Sequence, residues 1–234
     1  MKTDLELALE CIINIYHQYA MKCPIDDYLN ETEFSMLLKE NAKPFLHNTM
    51  PRNMFIDTYI HKLFIRADRN GSGRLKFIEF LTTLIEIVID AHNRSHQCHR
   101  SDEDFCRYLK SSAMSAGLQT TTTCPETRQF PGNCTLEMAL NTIVNIYHQY
   151  SIRHPHRDLL DFNEFSTLLK EQACTFLQAC DRNRPGYLRQ LFDESNIYKG
   201  RELTFKEFTC VLAKLANDAH HISHNEPRCG PERD

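Results

Sequence analysis

Two pairs of histidines are spaced so that each pair could share one metal ion. His92 and His96 are four residues apart, as are His220 and His224, and each pair ends an apolar helical pattern. Residues at positions i and i+4 lie on one face of a helix, so both imidazoles of a pair can reach the same ion. No glutamate follows the first histidine of either pair, so the His-Glu-x-x-His signature of zinc proteases is absent. The spacing permits metal binding and gives no support to hydrolysis.

A histidine and an aspartate recur with a fixed spacing earlier in each half of the chain. His17 precedes Asp27 by ten residues, and His148 precedes Asp158 by ten residues. Histidine nitrogen and carboxylate oxygen are both common zinc ligands. Each half therefore carries three histidines and one aspartate that could bind zinc.

The strongest chemical pattern is a loop at residues 68–79. Its twelve residues read Asp-Arg-Asn-Gly-Ser-Gly-Arg-Leu-Lys-Phe-Ile-Glu and fill every constrained position of the EF-hand calcium loop. Gly73 stands at the sixth position, where that loop turns sharply. The predicted Ca2+ ligands are the side chains of Asp68, Asn70 and Ser72, the backbone carbonyl of Arg74 and the carboxylate of Glu79.

The corresponding loop in the second half, residues 196–207, lacks most of these oxygen ligands. Asn196, Tyr198 and Gly200 stand at its first, third and fifth positions, and Glu207 alone remains of the carboxylates. Because Ca2+ takes roughly six to eight oxygen ligands, we expect no significant calcium binding there. We expect the segment to persist as a structural hairpin.

The chain contains two copies of one unit. Residues 14–19, Asn-Ile-Tyr-His-Gln-Tyr, recur unchanged 131 positions later at 145–150, and the offset falls to 128 towards the end of each copy. The repeat predicts a first domain at 1–96 and a second at 135–234. Residues 97–134 contain a threonine run, prolines and little periodicity, which predicts a flexible linker. A fusion of two neighbouring genes would give the same pattern.

Apolar spacing predicts four helices in each unit and therefore an all-α fold. The first helix of each unit carries the repeated Tyr-His motif, and the predicted later helices lie near 31–39, 57–67 and 77–88, and near 163–170, 185–195 and 205–215. The first and fourth apolar stripes are too continuous to be covered by one small unit. We therefore expect the two units to pack on each other as an intramolecular pseudo-dimer, and the alternative is a homodimer of the chain.

Composition argues against several classes of protein. The 234 residues carry a formal net charge of -4, without the concentrated basic surface of a nucleic-acid-binding protein. No run approaches about 18 consecutive apolar residues, so we expect no membrane span. The chain has no glycine-rich phosphate loop and no nucleophile elbow, so we do not expect an enzyme. The acidic first residues are atypical of a signal peptide, which favours a cytoplasmic protein.

Ten cysteines are present, and none is spaced Cys-x-x-Cys. The usual zinc-ribbon and thioredoxin-type signatures are therefore absent. We expect most of the cysteines to be free thiols.

A longer loop precedes the second helix of each unit. Residues 20–33 and 151–164 are fourteen residues long, and each ends in a glutamate followed by a phenylalanine. A fourteen-residue loop paired with a twelve-residue loop resembles the S-100 family of dimeric EF-hand proteins. The resemblance implies weaker Ca2+ sites built from backbone carbonyls and the final glutamate, although Pro24 and Pro155 depart from the usual loop start. The implied ligands are Ala20, Cys23, Ile25, Tyr28 and Glu33, and Ser151, His154, His156, Leu159 and Glu164.

The histidine and aspartate pattern resembles the zinc-binding branch of that family, the calgranulins and psoriasin. In that branch, one histidine and one aspartate of one subunit join two histidines of the other. Carried over to this chain, the implied zinc sites are His17, Asp27, His220 and His224, and His148, Asp158, His92 and His96. Analogy with psoriasin also implies that Cys180 pairs with Cys229 after secretion.

The resemblance implies a protein that binds Ca2+ and Zn2+, withholds zinc from microbes and signals in inflammation. It implies a cytoplasmic protein released by a leaderless route, with a cell-surface receptor as partner. The alternative is an intracellular calcium sensor, whose third helix moves on calcium binding and exposes an apolar groove for a helical target peptide.

Overall fold

Both repeated units are bundles of α-helices joined by paired loops, so the all-α prediction is confirmed. The structure is a computed structural model that describes residues 2–20, 26–97, 134–151, 158–179, 182 and 184–224. The predicted linker lies almost wholly outside these ranges. The domain boundaries and the flexibility of that segment therefore stay predictions.

Each unit contains five helices and one pair of two-residue strands among the described residues. The first unit comprises α1 (Asp4–Ala20), β1 (Leu29–Asn30), α2 (Glu31–Asn41), α3 (Lys43–Thr49), α4 (Ile56–Ala67), β2 (Arg74–Leu75) and α5 (Phe77–Gln97). The second comprises α6 (Leu136–Ser151), β3 (Leu159–Leu160), α7 (Phe162–Gln172), α8 (Cys174–Ala179), α9 (Tyr187–Ser195), β4 (Leu203–Thr204) and α10 (Phe205–Ser223).

An antiparallel ladder joins the two loops of each unit. The paired residues are Leu29 with Leu75 and Asn30 with Arg74 in the first unit, and Leu159 with Thr204 and Leu160 with Leu203 in the second. The ladder holds the fourteen-residue loop beside the twelve-residue loop. A change in one loop is therefore transmitted directly to the backbone of the other.

Three helices begin at capping boxes whose glutamate also ends a loop. In each box the cap side chain accepts the glutamate's backbone N–H, and the glutamate carboxylate accepts the cap residue's N–H. The pairs are Asn30 with Glu33 at α2, Asp161 with Glu164 at α7, and Thr204 with Glu207 at α10. The last carboxylate of each of these loops is thereby fixed at the start of a helix.

A single apolar cluster extends through both units. Helix α1 packs along α6, and α5 packs along α10, so the long helices of one unit lie against those of the other. Tyr16 and Tyr147, which occupy equivalent positions, are both fully buried. Burial of apolar surface contributes roughly 25 cal/mol per Å2, so these continuous helix faces are the main source of stability.

A short helix follows α2 in the first unit and α7 in the second, in addition to the four helices predicted for each unit. Helix α3 has Pro44 in its first turn, and α8 occupies the equivalent place. Pro44 indicates the end of the preceding helix, but proline also suits the first turn of a new helix, where its missing N–H needs no partner. Helix α9 begins at Tyr187, two residues later than predicted, after Gly186 in a left-handed conformation with φ of 83°.

Cys11 of the first unit forms a disulfide with Cys134, which directly precedes the predicted second unit, and their Cα atoms are 6.1 Å apart. The expectation of mostly free thiols did not identify this pair. Cys174 and Cys210 are free. Cys180 and Cys229 lie outside the described residues, so their implied pairing stays a prediction. Within the described ranges, no helix is long and apolar enough to cross a membrane.

Candidate metal centres

Four side chains from the two units meet in a first cluster. His17 lies in the last turn of α1, Asp27 lies just before β1, and His220 and His224 lie at the end of α10. The Nε2 atom of His17 is 3.2 Å from the Nε2 atoms of both His220 and His224, which are 3.4 Å from each other. Asp27 Oδ1 lies 3.4 Å from the Nε2 of His17, and Oδ2 lies 3.2 Å and 3.4 Å from those of His220 and His224.

The spacing of these atoms suits a tetrahedral zinc ion. Zinc–nitrogen distances of about 2.0–2.1 Å give a coordination tetrahedron with edges of about 3.3–3.4 Å. The three nitrogen–nitrogen distances are 3.2, 3.2 and 3.4 Å. Hydrogen bonding alone does not account for them, because a neutral imidazole nitrogen either donates or accepts and three such atoms cannot all be paired. One cation between them would satisfy all three lone pairs.

A second cluster repeats this arrangement with the units exchanged. His92 and His96 lie on α5, His148 lies on α6, and Asp158 precedes β3. The two Nε2 atoms of His92 and His96 are 3.2 Å apart, and Asp158 Oδ2 lies 3.0 Å and 3.2 Å from them. Asp158 Oδ1 lies 3.6 Å from the Nε2 of His148. The structure thus brings together both four-residue sets that the sequence resemblance implied.

Burial and the neighbouring charged groups shift the pKa values of these side chains in opposite directions. Burial alone would raise the pKa of Asp27, but the neighbouring imidazoles of His17 and His220 outweigh it and lower that pKa well below its usual range. The pKa of Asp158 is lowered in the same way against its burial, chiefly by His92. Burial lowers the pKa of His220, against the opposing effect of Asp27. A charged carboxylate and a neutral imidazole are the forms that bind zinc.

A buried tyrosine ties each cluster to the neighbouring loops. The hydroxyl of Tyr16 lies 2.9 Å from the carbonyl oxygen of Asp27 and 3.1 Å from that of Leu75 in β2. In the second unit, Tyr147 lies 3.0 Å from the carbonyl of Asp158 and 3.3 Å from that of Leu203. Each hydroxyl therefore connects the backbone of a candidate ligand to the strand within the twelve-residue loop.

A phenylalanine from each twelve-residue loop covers one histidine of a cluster. Phe205 stacks on His92 with ring centroids 3.8 Å apart and planes at 5°. Phe77 is placed in the same way on His220. These aromatic residues were not identified from the sequence as part of the sites. Tyr16 and Tyr147, in contrast, directly precede His17 and His148 in the repeated Tyr-His motif. That motif was the signal in the sequence that these tyrosines lie beside the candidate ligands.

The loop at 68–79 is closed by hydrogen bonds among its predicted ligands. Asp68 accepts hydrogen bonds from the backbone N–H groups of Ser72 (3.0 Å) and Gly73 (2.8 Å). Asn70 donates to Glu79 at 2.9 Å, and the hydroxyl of Ser72 donates to the carbonyl of Arg74 at 2.7 Å. All five predicted ligands thus surround the same turn, where Gly71 and Gly73 have φ of 68° and 76°.

The loop at 196–207 closes on itself through hydrogen bonds. The carboxylate of Glu207 accepts the backbone N–H groups of Tyr198 (3.0 Å) and Thr204 (2.9 Å) and the Thr204 hydroxyl (2.9 Å). Burial alone would raise the pKa of Glu207, but these hydrogen bonds outweigh it and lower the pKa. Asn196 also exchanges two hydrogen bonds with the backbone of Gly200.

The fourteen-residue loops are described only in part. Cys23, Ile25, His154 and His156 lie outside the described residues. The other implied ligands, Ala20, Tyr28, Glu33, Ser151, Leu159 and Glu164, lie at the ends of these loops. Glu33 and Glu164 each use one carboxylate oxygen in a capping box, at 3.0 Å in both cases. The other oxygen of Glu164 is buried and has no hydrogen-bond partner among the described residues, which suits a cation ligand.

Comparison with known proteins agrees with this architecture. The S-100/ICaBP type calcium binding domain matches residues 5–49 and 136–180. The chain is 30% identical over 93 residues to Protein S100-A9 of Oryctolagus cuniculus, covering 40% of this chain and 70% of that protein. It is 29% identical over 94 residues to another S100 protein, from Pongo abelii, covering 40% of this chain and 86% of that protein.

The fold, the paired loops and these matches define an EF-hand calcium-binding protein. The chain belongs to the S-100 family and carries two S-100 domains in tandem. Each of the two relatives above aligns with a stretch about as long as one unit of this chain.

Proposed function

We propose that the protein sequesters zinc in two sites shared between its units and is loaded with calcium when it does so. The observation that carries the proposal is the near-tetrahedral spacing of the first cluster, with nitrogen–nitrogen distances of 3.2–3.4 Å. Four protein ligands fill the coordination of zinc and leave no position for a substrate. Such a site holds the ion and does not catalyse, so we propose no enzymatic role.

The origin of the ligands supports strong retention of the metal. Each cluster takes two residues from one unit and two from the other, so zinc release requires the units to separate or α5 and α10 to fray. His92 and His220 are 6% and 5% exposed, which shields them from competing water. Both clusters would hold the pseudo-dimer together, and α1 and α6 would form its interface.

We propose one strong Ca2+ site at Asp68, Asn70, Ser72, Arg74 and Glu79, and weaker sites in the two fourteen-residue loops. The loop at 196–207 takes no part, since Tyr198 and Gly200 place no carboxylate or amide oxygen at its third and fifth positions. Calcium is abundant outside cells, so loading there accords with a secreted, calgranulin-like role in antimicrobial defence and inflammatory signalling. Binding to a cell-surface receptor belongs to the same proposal.

A calcium-sensor function is the second candidate, and one surface favours it. Phe55, which precedes α4, is 85% exposed, and Ile65 on that helix is 58% exposed. Two large apolar side chains at a helix expected to move with calcium could receive a target helix. Calcium-dependent retention of helical peptides that Phe55→Ser abolishes would establish this function.

Growth inhibition distinguishes sequestration from sensing. The wild-type protein, with calcium present, should stop growth of a zinc-requiring bacterium, and added zinc should restore growth. A variant that lacks both clusters (His92→Ala, His96→Ala, His220→Ala and His224→Ala) should not inhibit, whereas Phe55→Ser should inhibit normally. Inhibition by the four-histidine variant would contradict zinc sequestration.

A further inference from the structure

The disulfide between Cys11 and Cys134 has no counterpart at the equivalent place in the interface. The two units are related by an offset of 131 residues in this region, so Cys11 corresponds to Thr142 and Cys134 corresponds to Thr3. By this correspondence, the place equivalent to the disulfide carries two threonines, which cannot form one.

This asymmetry distinguishes a mixed pair of units from a pair of like units. In two first units packed in the same way, Cys11 of each would face Thr3 of the other. In two second units, Cys134 of each would face Thr142. A disulfide at this place therefore forms only where a first unit packs against a second unit.

The polar contacts across the interface also differ on its two sides, but they do not distinguish mixed pairs of units from like pairs as strictly as the disulfide does. Glu6, 1% exposed, accepts the backbone N–H of Thr175 at 2.8 Å. The equivalent contact would join Glu137 to Pro44, which has no N–H, and Glu137 instead accepts from Arg94 at 2.9 Å. In pairs of like units, Glu6 could use Arg94, and Glu137 could use Thr175. The disulfide is thus the contact that a like pair cannot replace.

We propose that Cys11 and Cys134 form a pairing-specific lock, which makes the first unit accept only a second unit as its partner under oxidising conditions. To form the lock, each thiol loses one proton and one electron to a low-molecular-weight disulfide, which leaves as two thiols. The reduced protein lacks the lock, and its units can re-pair with those of other chains. The proposal concerns the interface and does not depend on metal binding.

Native mass spectrometry of a cut chain tests the lock. The full chain would carry one recognition sequence for a site-specific protease between residues 97 and 134, and it would be cleaved after folding without metal. The oxidised wild type should contain only mixed pairs, and its non-reduced peptide map should show Cys11 joined to Cys134. The double variant Cys11→Thr and Cys134→Thr, which copies the opposite side, should lose exclusive mixed pairing and yield like pairs or free units.

Two further variants keep the result decisive. Cys174→Ser with Cys210→Ser removes free thiols elsewhere and should leave mixed pairing intact. Adding Thr3→Cys and Thr142→Cys to the double threonine variant moves the disulfide to the other side and should restore exclusive mixed pairing. The lock is overturned if the oxidised wild type forms like pairs, if Cys11 joins another cysteine, or if the folded double threonine variant still forms only mixed pairs.

Discussion

The aromatic ring of Phe77 lies parallel to the imidazole of His220, with centroids 4.2 Å apart and planes at 4°. Phe77 belongs to the calcium loop of the first unit, and His220 is a candidate zinc ligand from the second. Strand β2, which lies within the same loop, pairs with β1, which begins two residues after Asp27. The calcium loop therefore contacts the first cluster through both a side chain and a backbone ladder.

Calcium should strengthen zinc binding at the first cluster more than at the second. Ca2+ in the loop at 68–79 orders Phe77 and the ladder, so zinc has less to order when it binds. Couplings of this kind typically change affinity by roughly 5–150-fold. Zinc titrations of His92→Ala with His96→Ala, which keeps the first cluster, should show the effect. The converse variant, His220→Ala with His224→Ala, keeps only the second cluster. Its zinc affinity should change little at calcium levels that fill only the loop at 68–79.

Glu79→Gln is the control for that coupling. It should remove the calcium effect at the first cluster and leave calcium-free zinc affinity unchanged. A calcium effect of equal size at both clusters, surviving Glu79→Gln, would contradict the proposed route.

Substitution of the last glutamate should change the number of bound Ca2+ ions in one twelve-residue loop and not in the other. Glu79→Gln removes a bidentate carboxylate and should abolish the tightest Ca2+ site, whereas Glu207→Gln should leave the calorimetric isotherm unchanged. Tyr198 and Gly200 place no carboxylate or amide oxygen at the third and fifth positions of the loop that Glu207 ends. Loss of a calcium site in Glu207→Gln would show that this loop binds the ion.

Glu207 should also contribute to acid sensitivity. Its pKa in the folded protein is lowered, so its ionised form stabilises the fold above its unfolded pKa of about 4.3, and that contribution is lost as pH falls through the folded value. The free energy of unfolding from denaturant titrations should therefore fall less between pH 6 and pH 3 in Glu207→Gln than in the wild type. Equal losses in both proteins would refute this role.

Reduction of the Cys11–Cys134 disulfide should destabilise the protein. The bond joins residues 123 positions apart, and closing a loop of that size contributes up to about 5 kcal/mol in the chain-entropy description. A thiol reductant should lower the midpoint of thermal unfolding of the wild type. The reductant should not change the midpoint of the double variant Cys11→Thr and Cys134→Thr. If it lowers that midpoint by a similar amount, the destabilisation comes from other cysteines.

Much of the fold followed from periodicity and from the repeat. The apolar stripes of α1 and α6 and the twelve-residue loop at 68–79 depend on local spacing, which a sequence displays directly. The repeated Tyr-His motif aligned the two units and placed the histidine and aspartate pairs in register. Pro44 was less informative, because proline marks both the end of one helix and the first turn of another.

The remaining features depend on contacts between distant residues. Nothing local indicates that Cys11 meets Cys134, that Glu6 meets Thr175, or that Phe77 covers His220, since each pair joins different elements or units. Cysteine spacing carries no signal when the partners lie 123 residues apart. These contacts can be identified only from the packing of the helices in three dimensions.

Zinc stoichiometry in a matched set of variants tests the central claim most directly. At neutral pH the wild type should bind two Zn2+ ions in closed four-ligand sites, and His92→Ala with His96→Ala should bind one. Adding Asp27→Ala to that variant should weaken the remaining site, because it removes the carboxylate that lies within 3.4 Å of three imidazole nitrogens. His47→Ala, outside both clusters, should still bind two. Tight binding of two ions by the His92→Ala and His96→Ala variant, or of none by the wild type, would contradict the account.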